Sequence, residues 1–315
     1  MKILITGVTG QLGHDVAREA ERRGHEVIGV GRADDADCRT YIKCDITSQS
    51  EICGVIEATM PQVVIHCAAY TNVDAAEENI ELCDTVNIAA TNYIADVCAH
   101  LNIKMIYIST DYVFDDYDDE FREMEREVPI RPRFEYEKPR SCQVYGHSKR
   151  MGERNVQHYF KFAKNPNWLI IRISWVFGAN GKKNFVKTML NLAKTNTEVS
   201  VICDQIGRPT YTKDAARLLI DMACGTVWGE IFHVQNEGEY ISWFDLTRKI
   251  YALSGKTQIT VKPIMTEEYE KAMAKRPKNS MLSTKKLREF GFQPLPKWED
   301  ALKRFLIEIG EIDEV

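Results

Sequence analysis

The stretch Lys2-Ile3-Leu4-Ile5-Thr6-Gly7-Val8-Thr9-Gly10-Gln11-Leu12-Gly13 decides the fold. Residues 2–6 are an apolar run that reads as a buried strand. Gly7, Gly10 and Gly13 follow, and Val16, Ala17 and Ala20 then mark a helix that stops at Gly24. Glycines between a strand and a helix permit a tight turn and a close backbone approach to a pyrophosphate, which rests on the helix N-terminus. A glycine triplet alone says little. Followed by a helix and a second strand at Glu26–Val30, it predicts a dinucleotide-binding unit.

Outward from there, the second strand ends in Gly31-Arg32, where a fold preferring NAD often carries an acid for the ribose 2′-hydroxyl. An arginine can pair with a 2′-phosphate, so NADP is favoured, with NAD as the alternative; a plain solvated loop is the blander reading of Arg32. Tyr41–Thr47 reads as a short strand and then a helix cap, in which Asp45 either meets the adenine amino group or serves as N-cap. In Val63-Val64-Ile65-His66-Cys67-Ala68-Ala69-Tyr70 the small Ala68 and Ala69 would let a cofactor lie flat across the strand end. A helix around Val86–Ala90 precedes the strand Met105–Ile108, which stops at Ser109-Thr110-Asp111-Tyr112. Catalytic groups in open parallel sheets sit at strand C-terminal ends. There the Thr110 hydroxyl serves either a substrate carbonyl or a cap.

In Val144-Tyr145-Gly146-His147-Ser148-Lys149, Tyr145 and Lys149 share one helix face. An ammonium one turn away is expected to lower the phenol pKa, as a tyrosine proton donor requires. Alone, Tyr-x-x-x-Lys reads as an ordinary half-exposed face; the dinucleotide unit before it gives it weight. Between Thr110 and Tyr145 the chain is highly charged, from Asp115 to Arg140, and reads as a solvated surface excursion with a short helix near Asp119–Arg126, placed where a lid would be. Strand Trp168–Ile173 follows. The alternation loosens beyond Gly178, with helices at Asn184–Lys194, Lys213–Cys224, Ser242–Ser254 and Trp298–Ile309 and strands at Val199–Cys203 and Ile231–Gln235. The predicted class is α/β: a Rossmann-type doubly wound parallel sheet with a smaller, mostly C-terminal α+β substrate domain. Residues 1–177, with 211–235 returning, form the dinucleotide-binding domain; 178–210 and 236–315 form the other.

Composition excludes several classes. The 315 residues are 44% hydrophobic and 28% charged, ordinary for a soluble protein. A net charge of −5 without a dominant basic stripe argues against nucleic acid as the main partner. Apolar runs such as Trp168–Ile171 are too short for a membrane span, and the first residues do not read as a signal peptide. Nine scattered cysteines with no Cys-x-x-Cys pair read as reduced thiols of a cytoplasmic protein, and seven histidines without ligand spacing argue against zinc.

Gly7-x-x-Gly10-x-x-Gly13 with Tyr145-x-x-x-Lys149 resembles the extended short-chain dehydrogenase/reductases. Gly10–Gly13, Ala68-Ala69-Tyr70-Thr71-x-Val73-Asp74, Ser109–Phe114, Ser174–Phe177, Asp204–Thr210 and Arg276-Pro277-x-Asn279-Ser280-x-Leu282 more specifically resemble the dTDP-4-dehydrorhamnose reductase family. The resemblance implies that Tyr145 donates the proton, that Lys149 binds the nicotinamide ribose and that Thr110 assists at the carbonyl. It places Gln11 and Leu12 at the pyrophosphate, Asp45 and Ile46 on the adenine side, Ala68, Ala69 and Tyr70 at the nicotinamide half, and Thr71, Val73 and Trp175 at a nucleotide-sugar substrate, with Asp111 beside Thr110. The segment Asp116–Val144 is longer than is usual in that family. Some members bridge a homodimer with Mg²⁺ through a first-helix glutamate; Asp15 stands there in this chain, and no metal is assigned. Two alternatives remain: a non-catalytic NADP-binding regulatory subunit resembling that of methionine adenosyltransferase, and an epimerase or dehydratase, which the absence of a Ser-Ser-x-x-Val-Tyr-Gly run disfavours.

Overall fold

The computed structural model describes residues 1–116, 131–269 and 272–314. Seven strands form the central sheet: β1 (Lys2–Thr6), β2 (Glu26–Gly31), β3 (Tyr41–Lys43), β4 (Val63–His66), β5 (Lys104–Thr110), β6 (Trp168–Ile173) and the strand Glu230–Val234. Their order across the sheet is Glu230–Val234, β6, β5, β4, β1, β2, β3, and every pairing is parallel. Strand order runs outward in both directions from the β1–β4 pair, which makes that pair the switch point where such sheets bind ligands.

The strands are near-continuous apolar runs because both faces are covered. Ile3 and Ile5 face a core shared with the helices Gln11–Arg22 and Thr212–Cys224. Leu4, one residue out of phase, faces a second core with Ile56, Ile94, Tyr107 and Phe160, beneath the helices Gln49–Thr59, Ala90–His100 and Val144–Phe162. A third apolar cluster lies outside the sheet. There the helices Phe185–Leu192, Trp243–Leu253 and Trp298–Glu308 pack on the parallel pair Glu198–Ile202 and Thr260–Ile264 through Val201, Leu246, Ile250 and Phe305. Ser242 and Asp245 start the middle helix with a reciprocal capping box.

Two expectations change. The region around Val86 is a π-helical turn, Thr85–Ala89, that runs into Ala90–His100. The charged excursion is not simply solvated: Arg133 and Glu135 are buried. The Arg133 amide bonds the Met281 carbonyl at 2.8 Å and its carbonyl accepts from Ser283, while Asp116 accepts from the amides of Lys278 and Asn279. The C-terminal segment therefore supplies partners that local charge density does not reveal. The expected helix near Asp119–Arg126, in the middle of the segment placed where a lid would be, lies outside the described residues. Among those described, no helix is long and apolar enough to cross a membrane.

Candidate active site

A cleft of about 720 Å³ opens at the switch point, over the C-terminal ends of β1, β4 and β5. Gly7 leaves β1 with φ +70°, and a Cβ there would fall 2.7 Å from the Ala68 amide nitrogen. A Cβ on Gly13 would lie 2.8 Å from the Gly7 carbonyl carbon. Only glycine lets the loop lie this close to β4 and the first helix. Gly10 is the N-cap of that helix, with no side-chain cap bond and no acid in the first turn. Its leading amides are thus left without a side-chain acceptor, the condition for receiving a phosphate. Gln11 and Leu12 line this end, although the Gln11 amide donates to the Val176 carbonyl at 3.3 Å and Leu12 is buried in the core.

At the rim, exposed Arg32 follows Gly31. Asp45 accepts from the Thr47 amide (3.0 Å) and hydroxyl (2.8 Å); the amide is the main cause of its lowered pKa, and Arg32 adds a smaller effect. Ser48, not Asp45, stands at the N-cap of Gln49–Thr59, so Asp45 and buried Ile46 are free to line the cleft. Ala68, Ala69, Thr71 and Val73 form the wall beyond β4.

Thr110 ends β5. Its hydroxyl donates to Asp111 Oδ1 (3.0 Å) and accepts from the Tyr112 amide (3.2 Å), so it caps the short turn Asp111–Val113 while lining the cleft. Tyr145 and Lys149 reach the same floor from the helix Val144–Phe162, whose N-cap Gln143 accepts from the Gly146 amide at 2.7 Å. Two glycines seat this helix: a Cβ would lie 2.7 Å from the Tyr112 carbonyl carbon at Gly146 and 2.8 Å from Tyr107 Cζ at Gly152. The Tyr112 ring meets Tyr145 edge-on at 6.1 Å, and Lys149 Nζ stands 4.1 Å from the centre of the Tyr107 ring.

With this geometry in place, the likenesses to known proteins have a structural footing. The family described as RmlD substrate binding domain matches residues 1–310. The dTDP-4-dehydrorhamnose reductase of Aggregatibacter actinomycetemcomitans is 35% identical to this chain, over 96% of it and 97% of the relative. The chain belongs to the dTDP-4-dehydrorhamnose reductase family. Spore coat polysaccharide biosynthesis protein SpsK of Bacillus subtilis is 34% identical over 98% of this chain and 97% of its own. A crystal structure of dTDP-4-dehydrorhamnose reductase from Bacillus anthracis in complex with NADP superposes with a TM-score of 0.83 at 34% identity, covering 98% of this chain and 99% of that one. As a member of this family the protein is an NAD(P)-dependent oxidoreductase with the expected Rossmann-type sheet.

Within the family frame, every residue expected at the site lines the cleft except Tyr70. Its amide and carbonyl are held by the Asn87 side chain at 2.8 and 3.1 Å, a clamp supplied by the π-helical turn. The electrostatics also differ from expectation. Burial raises the Tyr145 phenol above its ordinary value, with a hydrogen bond from Thr110 working the other way. Burial pushes the Lys149 ammonium down to about 7. Each charged form loses its water, and this outweighs the Thr110 hydrogen bond at Tyr145 and the Glu153 carboxylate one turn from Lys149. Asp111 behaves alike: burial raises its carboxyl to about 6, and Oδ2 has no hydrogen-bond partner among the described residues.

Sequence reasoning named Trp175 at the sugar end of the cleft but missed its partner Trp243. Trp175 holds φ at +49°, a strained setting for a bulky side chain, and stacks on Trp243 with ring centres 3.5 Å apart and planes 13° apart. Phe185 packs against Trp243, with ring centres 4.3 Å apart and planes tilted by 41°. Lys183 and Asn184 also line the cleft; no periodicity marks them, whereas the Ser242–Asp245 capping box does locate Trp243 at a helix start. Asp15 is buried, accepts from the Thr212 hydroxyl and contacts His14 Nδ1 at 3.1 Å, so it faces the interior of this chain. Among the described residues no group of three or more His, Cys, Asp or Glu is placed to hold a metal.

Proposed function

We propose that this protein reduces the 4-keto group of a nucleotide-activated deoxysugar, of the dTDP-4-dehydrorhamnose type, with NADPH as reductant. What carries the reading is the convergence of Thr110, Tyr145 and Lys149 on the floor of one cleft whose far end is the uncapped glycine loop. That loop fits a dinucleotide, since the space a Cβ would fill at Gly7 and Gly13 is occupied by backbone packed close behind it. Arg32 stands exposed at the rim, suited to a 2′-phosphate.

When bound, the dinucleotide supplies hydride to the ketone carbon. The chain's own residues manage the proton. Tyr145, its pKa raised by burial, keeps the phenol proton at neutral pH and gives it to the carbonyl oxygen as negative charge grows there. Thr110 turns its hydroxyl proton from Asp111 to that oxygen, while the Tyr112 amide keeps hold of the hydroxyl oxygen. Lys149 titrates near neutrality, so an ammonium is at hand to stabilise the phenolate left behind. Trp175 and Trp243 wall the sugar end against water. A cytoplasmic setting suits the nine free cysteines. The test is Tyr145→Phe assayed with NADPH and a panel of 4-keto sugar nucleotides. Turnover is expected to fall by about 10²–10⁴-fold with NADPH binding retained; normal rates on every substrate the wild type accepts would remove Tyr145 from its role.

A further inference from the structure

Trp175 is held by parts of the chain that lie far from it in sequence. Its carbonyl accepts from the Thr210 amide at 3.2 Å, and the Ser174 hydroxyl donates to the Arg208 carbonyl at 3.0 Å. The short strand Val176–Phe177 then runs parallel to Thr210–Tyr211. Segments 174–177 and 206–211 are thus laced together along their length. The strand Ile206–Gly207 also pairs, antiparallel, with Ile241–Ser242, and Ser242 caps the helix whose first residue is Trp243. This pairing brings Gly207 and Trp243 to the same indole.

The two meet Trp175 on opposite faces. A Cβ on Gly207 would lie 2.7 Å from Trp175 Cε2, 2.8 Å from Cζ2 and 3.0 Å from Nε1. The ring-fusion carbon is nearest and its two ring neighbours come next, so the Cβ would stand over the ring face, not at its edge. Trp243 covers a whole face, with ring centres 3.5 Å apart and planes 13° apart. A Cβ on that covered face would meet Trp243 before anything else, and it does not. Trp175 itself holds φ at +49°, a setting that persists only where the surroundings over-determine it. Gly207 lies outside the left-handed region, so its backbone does not call for glycine. The indole does.

We propose that Gly207 is a specificity-determining positioning residue: bare backbone at 207 lets the Trp175 indole lie back, and this fixes the depth of the cleft at its sugar end. The role rests on the ketone reduction argued above, in which the sugar of the substrate lies against Trp175. Gly207 does not line the cleft and acts through the indole. Ordinary contact begins at 3.4 Å, so even a methyl group at 207 demands a shift of about 0.7 Å. Trp243 blocks retreat across the stack, and the cleft is the open side.

The variants are Gly207→Ala, Trp175→Phe and the double Gly207→Ala/Trp175→Phe. Gly207→Ala is expected to raise KM for the best 4-keto sugar nucleotide by about tenfold with kcat within about threefold, the low end of what one methylene does in a binding pocket. Affinity for NADPH, and for dTDP, which lacks the sugar, is expected to stay within about twofold, because neither lies against the indole. Beside the smaller ring of Trp175→Phe, adding Gly207→Ala is expected to change KM by less than about twofold, since the contact that couples the two sites is gone. In protein labelled with fluorotryptophan, the Trp175 fluorine signal, assigned by its loss in Trp175→Phe, is expected to shift in Gly207→Ala. A folded Gly207→Ala with KM and fluorine signal unchanged overturns the proposal. An equal weakening of dTDP or NADPH overturns it too, as does a KM effect of the same size with phenylalanine at 175. If Gly207→Ala does not fold, recovery of folding in the double variant supports the contact and failure to recover overturns it. If the wild type reduces no 4-keto sugar nucleotide, the ketone-reductase reading falls, yet the fluorine signal still decides whether Gly207 sets the place of Trp175.

Discussion

Gly146→Ala tests how closely the Tyr145 helix must sit on β5. A Cβ at this position would lie 2.7 Å from the Tyr112 carbonyl carbon and 2.5 Å from Ser141 Oγ, where ordinary contact begins at 3.4 Å. Ser141 can rotate aside, but the Tyr112 carbonyl belongs to the turn that follows Thr110 and cannot. The Tyr112 carbonyl oxygen lies closer still, so the helix must retreat by more than about 0.7 Å, and it carries Tyr145 in the adjacent position. Misplacing a reacting group by about 1 Å can reduce a rate by about 10²-fold, so kcat should fall by between about tenfold and a hundredfold. Overpacking should cost about 1–3 kcal/mol of stability, seen as a fall of several degrees in Tm. The glycine loop lies on another element, so NADPH affinity, read by fluorescence titration, should change little. Steady-state oxidation of NADPH with the best 4-keto sugar nucleotide measures the first effect and thermal unfolding the second. A variant with kcat within twofold of wild type would show that the close seating of this helix does not set the position of Tyr145.

The rest of the cleft yields three more tests. Arg32→Ala should raise KM for NADPH by about tenfold and leave KM for NADH nearly unchanged, the loss expected when one charge-assisted bond goes; equal effects on both cofactors would assign Arg32 to the solvated loop. Asp111→Asn should be more stable than wild type at pH 8 and converge with it near pH 4. The folded pKa of Asp111 is raised to about 6, so its protonated form favours folding, and that benefit is lost as pH climbs from the unfolded value of 3.8 through 6. A gain of about 3 kcal/mol is the upper bound for a shift of this size, and a Tm difference independent of pH would contradict it. Trp243→Ala should raise KM for the keto sugar nucleotide by several-fold, since an aromatic pair contributes about 0.5–1.5 kcal/mol beyond its buried area. NADPH binding serves as the internal control, because a loss shared by cofactor and sugar would point to general collapse of the cleft.

Strand, glycine loop and first helix were legible from sequence because their signals are local: an apolar run, glycines where backbone meets backbone, and a helical period. The Tyr145–Lys149 face was legible for the same reason. What sequence could not show lies across long separations. Trp243 follows a readable capping box, but its stacking on Trp175 joins residues from two parts of the chain. Arg133 and Glu135 read as solvated charge because their partners, near residues 281–283 and at His233, lie far along the chain. Tyr70 sits inside a readable motif, yet its backbone is claimed by Asn87 from a π-helical turn that no period announces. The error over the tyrosine pKa is of another kind. Spacing identifies a neighbour, but burial decides how much that neighbour counts.

That last point bears on the chemistry. Tyr145, Lys149, Asp111 and His66 cluster around one cleft, and each has its pKa moved toward the neutral form. Mutual pairing would have moved acids and bases toward their charged forms; desolvation is the cause that moves all four the same way. The floor of the cleft is thus a dry place, with a fixed ion pair, Glu153 and Arg172, behind it. In such a place a negative charge growing on a carbonyl oxygen is poorly served by solvent and strongly served by a proton already in position. A phenol made more acidic by its lysine would hold that proton less firmly before the ketone is attacked. On the proposed ketone reduction, one kept neutral by burial, with an amine near its own midpoint one turn away, holds the proton until charge appears and then finds a counter-ion for the phenolate.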